Sequence, residues 1–299
     1  MDKKKALEYL LAVASKKNIS QACLIDGIYD YSHFNKMCNG KENINLEIIF
    51  ACASKLNVPV NDLLLAGNYL APKKLTQIKD EYLECMILQK FQNLKYLLQE
   101  LAAYEEHSDG VKQLKLNIKG VMEAHQNKSY QKALVLFKDA LKCTCKYTNI
   151  YDAEFQYFSE DELNIFNNMA LCYFSLKDEK YSICYERMIE SLRKSSTNSM
   201  EILFPKICYN YSVLLLREEK WQQSIKYCNI GIEYSNLHNV FLFLGHLYYN
   251  LALVDFKINN FSFIAENLKK AKMIFLLQNK SDYFQQAFLK DFNGFELEF

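Results

Sequence analysis

The chain has 299 residues, half of them apolar, and carries 36 basic against 35 acidic side chains. This apolar content excludes a largely disordered chain, and 3 Pro and 8 Gly are too few for an all-β protein with many tight turns. A formal charge of +1 excludes a basic field over the whole molecule, so any nucleic-acid site has to be local. We expect one or two domains built from long helices.

The first 66 residues are predicted to form five short helices. Ser20 is a suitable N-cap, Gly27 ends the second helix, and Gly40 suits the left-handed conformation that closes the third. The second and third helices, joined by a tight turn, have the helix-turn-helix layout. The predicted helices cover residues 3–16, 21–27, 31–39, 46–56 and 60–65.

Internal repeats dominate the rest of the chain, after a linker predicted at 67–74 from its Gly, Asn and Pro residues. Each repeat has an apolar helix, a short polar turn, an aromatic residue and a second amphipathic helix, a unit that has to stack on its neighbours to bury its apolar face. An insertion at 144–160 lengthens the first interval. We expect the aromatic residues to be core wedges between paired helices: Tyr130, Tyr181, Trp221 and Phe261.

The ten cysteines are predicted to be reduced thiols that pack as small apolar residues, because no CxxC pair exists. The N-terminus resembles a secretory signal, but Glu8 and Tyr9 interrupt its short apolar stretch. The most apolar run, 240–256, contains polar residues and is too short for a membrane span. We expect a cytoplasmic protein with no membrane partner.

The first 66 residues resemble the XRE helix-turn-helix, and the repeats resemble tetratricopeptide repeats. In the order of this sequence, the residues that carry the first resemblance are Ile19-Ser20-Gln21, Gly27-Ile28, Ser32, Phe34-Asn35-Lys36-Met37, Asn39-Gly40-Lys41, Leu46, Leu56-Asn57-Val58 and Leu63-Leu64.

Together, the two parts resemble the Rgg/PlcR/PrgX family of Gram-positive peptide-pheromone receptors. The resemblance implies an all-α fold in which an N-terminal helix-turn-helix domain precedes a right-handed α-solenoid. Residues 1–66 would bind DNA, and 75–299 would bind a peptide and dimerise.

The candidate DNA contacts lie at the start of the second helix and along the third, which would enter the major groove. His33 and Lys36 share a face and can donate to guanine or phosphate acceptors, and Asn35 suits adenine. The full set is Gln21, Tyr31, Ser32, His33, Asn35, Lys36 and Lys41.

The charge of this segment leaves an alternative open. Residues 1–66 hold eight lysines against seven acidic residues, and the acid usual two residues before Gly40 is replaced by Cys38. DNA binding would then be salt-sensitive, dimer-dependent or reduced. The alternative is a solvated polar face on a bundle that has lost DNA binding.

Asparagines recur inside the first helices of the repeats, at Asn168, Asn210 and Asn250. Asparagine is unfavourable inside a helix, whereas its amide can donate to and accept from an extended peptide backbone. Equivalent helices about 10 Å apart match about three residues of extended chain. These asparagines therefore predict a peptide-binding groove; the alternative is that they bridge neighbouring helices within the stack.

Two further sets of residues belong to the groove hypothesis. One turn earlier lie Asn164, Lys206 and His246, of which Lys206, and His246 if protonated, can pair with a peptide carboxylate. One turn later lie apolar residues predicted to accept ligand side chains: Cys172, Leu214 and Val254. In the first repeat, either Asn117 or Lys119 is the equivalent position, and Gly120 is a candidate for close packing.

The sequence therefore predicts a transcriptional regulator that binds operator DNA as a homodimer and responds to a short imported signalling peptide, as in quorum sensing. We find no nucleotide-binding, hydrolase or zinc-protease motif, and we expect no catalytic residue, metal or cofactor. The alternatives are a protein-interaction adaptor without sequence-specific DNA binding and, less favoured, a repeat-type regulator of a phosphatase or kinase.

Overall fold

The computed structural model describes residues 2–59, 63, 70–88, 90–102, 109–145, 149–151, 153–194 and 202–292. The chain divides into two compact units, Met1–Ala103 and Tyr104–Phe299. All regular elements in these ranges are helical, and none of the described helices has the length and apolar character that a membrane span requires.

The described part of the first unit begins with four helices that pack on a shared apolar core, which includes Leu10, Leu24, Phe34 and Ile49. A later pair of helices, joined by a 3₁₀ turn at Phe91–Asn93, completes the unit. Its helices are α1 (Lys3–Lys16), α2 (Gln21–Ile25), α3 (Tyr31–Cys38), α4 (Leu46–Lys55), α5 (Leu70–Ile87) and α6 (Leu94–Ala102).

Capping residues define the ends of α2 and α3 in the helix-turn-helix. The Ser20 hydroxyl accepts from the Cys23 amide, and the Asp30 carboxylate accepts from the His33 amide at the start of α3. Gly40 has φ +70°, which is the left-handed conformation expected at the end of α3. The predicted helix at 60–65 lies outside the described residues, apart from Leu63.

The predicted linker at 67–74 is partly helical. Residues 67–69 lie outside the described part of the chain, but α5 begins at Leu70 and holds Pro72 in its first turn. Proline is tolerated there because the first amides of a helix have no intrahelical acceptor. The helix pair of α5 and α6 groups with the first unit, not with the repeats.

The second unit contains four antiparallel helix pairs and one last helix. Each pair packs against the next, and the first helices of consecutive pairs also contact one another. The pairs are α7 (Asp109–His125) with α8 (Tyr130–Thr144), α9 (Glu160–Ser175) with α10 (Lys180–Lys194), α11 (Leu203–Arg217) with α12 (Trp221–His238), and α13 (Leu244–Lys257) with α14 (Phe261–Leu277), followed by α15 (Ser281–Asp291).

The turn within each pair places one residue in the left-handed region, which reverses the chain in a few residues. These residues are Lys128, Lys177, Glu219 and Asn259. Within the predicted insertion at 144–160, the described residues between the two flanking helices include a 3₁₀ turn at Phe155–Tyr157.

The prediction that the repeat aromatics are core wedges is wrong for most of them. Tyr181 is buried, but Tyr130 and Trp221 are half-buried, and Phe261 is 57% exposed. These residues begin the second helices, where the preceding turn leaves them at the edge of the pair. The positions three residues later are the buried ones: Ala133, Cys184, Ser224 and Ile264.

The structure describes all ten cysteines as thiols outside any disulfide, and six of them are buried. Burial raises the pKa of the Cys184 thiol to about 12. The six buried thiols pack as small apolar residues, as predicted, whereas Cys23 is exposed.

Gly120 is the close-packing residue of the first pair. A methyl group there would lie 2.5 Å from the buried ring of Phe137. We expect Gly120→Ala to lower the free energy of unfolding by about 1–3 kcal/mol through overpacking, which outweighs the roughly 0.5–1 kcal/mol that alanine gains in helix propensity. Urea unfolding followed by circular dichroism measures this change.

Gly245→Ala is the matched control, because its methyl group would meet Ile274 at 3.2 Å. It should be near neutral. Equal unfolding midpoints for the two variants would contradict the packing argument.

Candidate functional site

The outer surface of α3 carries the predicted DNA-contacting residues in the first unit. Tyr31, Ser32, His33, Asn35 and Lys36 are all exposed, while Phe34 and Met37 anchor the opposite face of the helix in the core. Gln21 and Lys41 are also exposed. The Asn35 side-chain oxygen accepts from Asn39 Nδ2 at 3.0 Å, which orients its amide.

Glu42, which the sequence analysis did not single out, lies against the imidazole of His33 and the ammonium group of Lys36 on this surface. His33 Nδ1 is 3.0 Å from Glu42 Oε2, and Lys36 Nζ is 3.5 Å from Glu42 Oε1. The hydrogen bond from His33, together with the charge of Lys36, holds the pKa of Glu42 below its usual value. A single carboxylate thus neutralises the charge that this helix would present to phosphate.

In the second unit, the first helices of consecutive pairs contact one another, and we call the half-buried side chains that three of these helices carry the inner face. Its members are half-buried polar and apolar side chains from three successive helices. They are Asn164 and Leu171 on α9, Lys206, Asn210 and Val213 on α11, and Leu253 on α13.

Asparagine amides connect neighbouring first helices. Asn168 Nδ2 donates to Asn117 Oδ1 at 3.1 Å, and Asn210 Nδ2 donates to Asn167 Oδ1 at 3.0 Å. The first bond makes Asn117, not Lys119, the partner in the first repeat. Asn168 is buried, with 5% exposed, and bridges α9 to α7, whereas Asn210 is half-buried and belongs to the inner face.

Asn250 occupies the third predicted position but does not lie on the inner face. It is 1% exposed, and its Nδ2 lies 2.9 Å from Ser212 Oγ and within 3.4 Å of Ser224 Oγ and Cys228 Sγ. Because Ser224 and Cys228 belong to α12, the amide points between the helix pairs. Asn250 therefore bridges neighbouring helices within the stack, which is the alternative to a ligand contact, and we do not retain it as a ligand contact.

Asn167 is the residue of this network that sequence reasoning missed. Its side-chain oxygen accepts from Asn210 and also from the Tyr185 hydroxyl at 3.0 Å. Asn210 is therefore held by a residue that is itself fixed in the core. The sequence does show two adjacent asparagines, Asn167 and Asn168, but the sequence analysis used only Asn168 in the spacing with Asn210 and Asn250.

Lys206 is oriented by a short chain of hydrogen bonds. Its Nζ donates to Asn164 Oδ1 at 2.7 Å, and Asn164 Nδ2 donates to the Glu160 carbonyl oxygen at 3.0 Å. Burial lowers the pKa of Lys206 to about 8, although the charge of Glu160 acts in the opposite direction.

His246 does not provide a cation. It is 9% exposed, and the rings of Tyr209, Phe243, Phe275 and Tyr283 surround it. This burial, with the charge of Lys280, lowers the pKa of His246 to about 3, so the imidazole is neutral at physiological pH. We predicted that His246 could pair with a peptide carboxylate only if it is protonated, and this condition is not met at physiological pH.

The apolar residues predicted for ligand side chains are buried instead. Cys172, Leu214 and Val254 are at most 3% exposed and belong to the core. The half-buried residues lie one position earlier, at Leu171, Val213 and Leu253. One residue of helix corresponds to a rotation of about 100°, which is enough to move a side chain from the core to the inner face.

Comparison with known proteins assigns the second unit to a family. Residues 147–293 match the RNPP family C-terminal domain. No curated protein sequence matches the chain.

Solved structures share the fold over nearly the whole chain. PlcR of Bacillus thuringiensis, in complex with the peptide PapR7 and DNA, matches with a TM-score of 0.79 and 20% identity over 95% of this chain and 98% of its own. ComR of S. thermophilus, in complex with DNA and its signalling peptide ComS, matches with a TM-score of 0.64 and 12% identity over 97% of this chain and 99% of its own. The pheromone receptor Rgg2 of Streptococcus dysgalactiae matches with a TM-score of 0.59 and 14% identity over 96% of this chain and 99% of its own.

These likenesses establish an all-α fold in which a helix-turn-helix unit precedes repeated helix pairs. Within this fold, residues 147–293 of the second unit belong to the RNPP C-terminal domain family.

Proposed function

We propose that this chain is a cytoplasmic transcriptional regulator that binds operator DNA through α3 and responds to a short signalling peptide. The observation that carries the proposal is the combination, in one chain, of an RNPP C-terminal domain with a helix-turn-helix unit whose third helix exposes a polar face. The PlcR and ComR structures hold both a peptide and DNA, which supports the same pair of ligands here.

The peptide would bind along the inner face. Asn164 and Asn210 offer amide groups that can bond a peptide backbone, and Leu171, Val213 and Leu253 offer apolar contact between them.

The DNA-binding form would be a homodimer, because one small helix-turn-helix gives little affinity by itself. A peptide can change DNA binding only through different affinities for two arrangements of that dimer.

A gel-shift titration of the full chain on the DNA upstream of its own coding sequence tests the proposal. The titration is run at fixed low salt, with and without a small-peptide fraction of spent medium, and shuffled DNA of equal composition is the control. A sequence-specific shift that changes with the peptide fraction supports a peptide-responsive regulator. No shift under either condition, together with capture of a partner protein, supports the adaptor alternative.

Asn210→Ala is expected to weaken the peptide response about tenfold, the loss that one or two amide hydrogen bonds would produce. DNA binding without peptide should persist. The fold should persist as well, because Asn167 keeps its bond to Tyr185. The response is measured as the peptide concentration that gives half of the change in DNA affinity.

Asn236→Ala is the matched control, since Asn236 is exposed on the second helix α12. An Asn210→Ala variant with an unchanged peptide response would reduce Asn210 to a bridge between helices.

A further inference from the structure

We propose that Lys206 and Asn164 form a carboxylate-binding subsite on the inner face, which accepts an acidic group of the peptide ligand. This inference rests on the proposed peptide-receptor function and specifies the chemistry of its ligand: a carboxylate flanked by apolar residues.

The first observation is that no carboxylate of the described residues forms an ion pair with the lysine. The Lys206 ammonium donates to a neutral amide oxygen, Asn164 Oδ1, and the charge of Glu160 acts on it without such a direct contact. A charge that is partly removed from water without a direct ion pair is costly. A ligand carboxylate that reaches Nζ would remove this cost.

The second observation is that the side chain is held in place. Asn164 is fixed by its own bond to the Glu160 carbonyl oxygen, so its oxygen directs the ammonium group. Two of the three ammonium hydrogens remain for another acceptor. A pre-oriented donor loses little rotamer freedom when a ligand binds.

The third observation is the surroundings of the ammonium group on the inner face. Leu171 lies two turns beyond Asn164 on α9, and Val213 lies two turns beyond Lys206 on α11, both half-buried. A peptide lying across these helices would place apolar side chains on Leu171 and Val213 while its carboxylate reaches Lys206. Of the three equivalent positions Asn164, Lys206 and His246, only Lys206 carries a positive charge, because His246 is neutral.

The lowered pKa of Lys206 agrees with this geometry and gives the subsite a pH dependence. Glu160 on α9 is the charged group that acts on Lys206 from the preceding helix pair. On α13, in the following pair, the equivalent position holds His246, which is neutral. With a pKa of about 8 in the free protein, the ammonium fraction falls roughly tenfold for each pH unit above 8. A ligand carboxylate stabilises the charged form, so peptide binding should weaken as the pH rises from 7 to 9.

Two random heptapeptide libraries test the subsite by affinity selection on the full chain. One library has free C-terminal carboxylates, and the other is amidated. For the wild-type chain we expect retention of peptides with a carboxylate at one fixed position among apolar residues. Enrichment of Asp or Glu in both libraries identifies a side-chain carboxylate, and retention that amidation abolishes identifies the C-terminus.

Lys206→Met keeps the apolar stem but removes the charge. It should lose this selection and bind the selected peptides about tenfold more weakly, an effect in the range of one charge-assisted hydrogen bond. Lys206→Arg should keep the selection and, because arginine stays protonated, bind independently of pH between 7 and 9. Lys257→Met, at an exposed position at the end of α13, is the matched control and should behave as wild type.

Equal carboxylate selection by wild type and Lys206→Met, or retention of peptides without any carboxylate preference, would overturn the subsite and leave the peptide receptor intact. Retention of no peptide from either library by the wild-type chain would overturn the receptor function and the subsite together.

Discussion

Replacing Tyr211 with alanine is expected to lower the free energy of unfolding of the repeat unit by about 3–5 kcal/mol, the range for deleting a large buried aromatic ring. Tyr211 is fully buried. Its ring stacks on Tyr185 at 5.0 Å between ring centroids and contacts Tyr227 at 4.6 Å. The three rings come from α10, α11 and α12, so the deletion opens a cavity between two helix pairs.

The Tyr211 hydroxyl makes a smaller and separable contribution. It donates to Glu186 Oε1 at 2.8 Å, and this bond, with burial as the larger cause, raises the pKa of Tyr211 well above its usual value. Tyr211→Phe keeps the stacked ring and removes only the hydrogen bond. It should cost about 0.5–1.5 kcal/mol, the net contribution of an ordinary hydrogen bond, because water can solvate the exposed Glu186 once the hydroxyl is gone.

Urea unfolding followed by the fluorescence of Trp221 measures these changes, because the single tryptophan of the chain lies in α12 and reports on the repeat unit. Tyr157→Ala is the control, since that side chain is 79% exposed and its loss should be near neutral. If Tyr211→Ala unfolds at the same urea concentration as Tyr157→Ala, the tyrosine packing does not stabilise the unit.

Replacing Glu42 with glutamine is expected to raise DNA affinity roughly tenfold at low salt, as one additional phosphate contact per protomer of a dimer would. Glu42 holds both His33 and Lys36, so the substitution releases two donors on the outer surface of α3 and removes a negative charge. The salt dependence of binding should become steeper by about one ion per protomer. Lys36→Ala should act in the opposite direction on both quantities.

Fluorescence anisotropy titrations of labelled duplex DNA at several salt concentrations measure both effects. Glu8→Gln is the matched control, because Glu8 is exposed on α1 and the substitution changes the net charge equally. Equal gains for the two variants would show that only net charge matters. A loss of affinity in Glu42→Gln would indicate that the carboxylate itself contacts DNA or orients His33 for that contact.

Glu42 is one of the seven acidic residues that nearly balance the eight lysines of the first 66 residues. The sequence showed almost balanced charges there, and the structure shows that one of the acids lies directly on the predicted DNA-contacting surface. A regulator with this arrangement depends on dimerisation and base contacts more than on phosphate attraction.

Local signals in the sequence were sufficient for most of the described helices and for the order of the units, but not for the boundary between the units, since a helix begins at Leu70 inside the predicted linker and groups with the first unit. Ser20 caps α2 because a hydroxyl can accept from a free amide of the first turn. Gly40 ends α3 because it can adopt a positive φ without strain. The repeats were detectable because each pair reuses one apolar pattern at an interval of about 40 residues.

Tertiary packing decided which residues of those helices form a site. The interval that marked Asn168, Asn210 and Asn250 did not show that Asn250 turns toward α12, because periodicity fixes a position along a helix and not its exposure. An error of one residue rotates a side chain by about 100°, and this separates the buried Leu214 from the half-buried Val213. The contacts of Lys206 with Asn164 and of His33 with Glu42 join residues 42 and 9 positions apart. They depend on how helices and turns pack, so only the folded structure determines them.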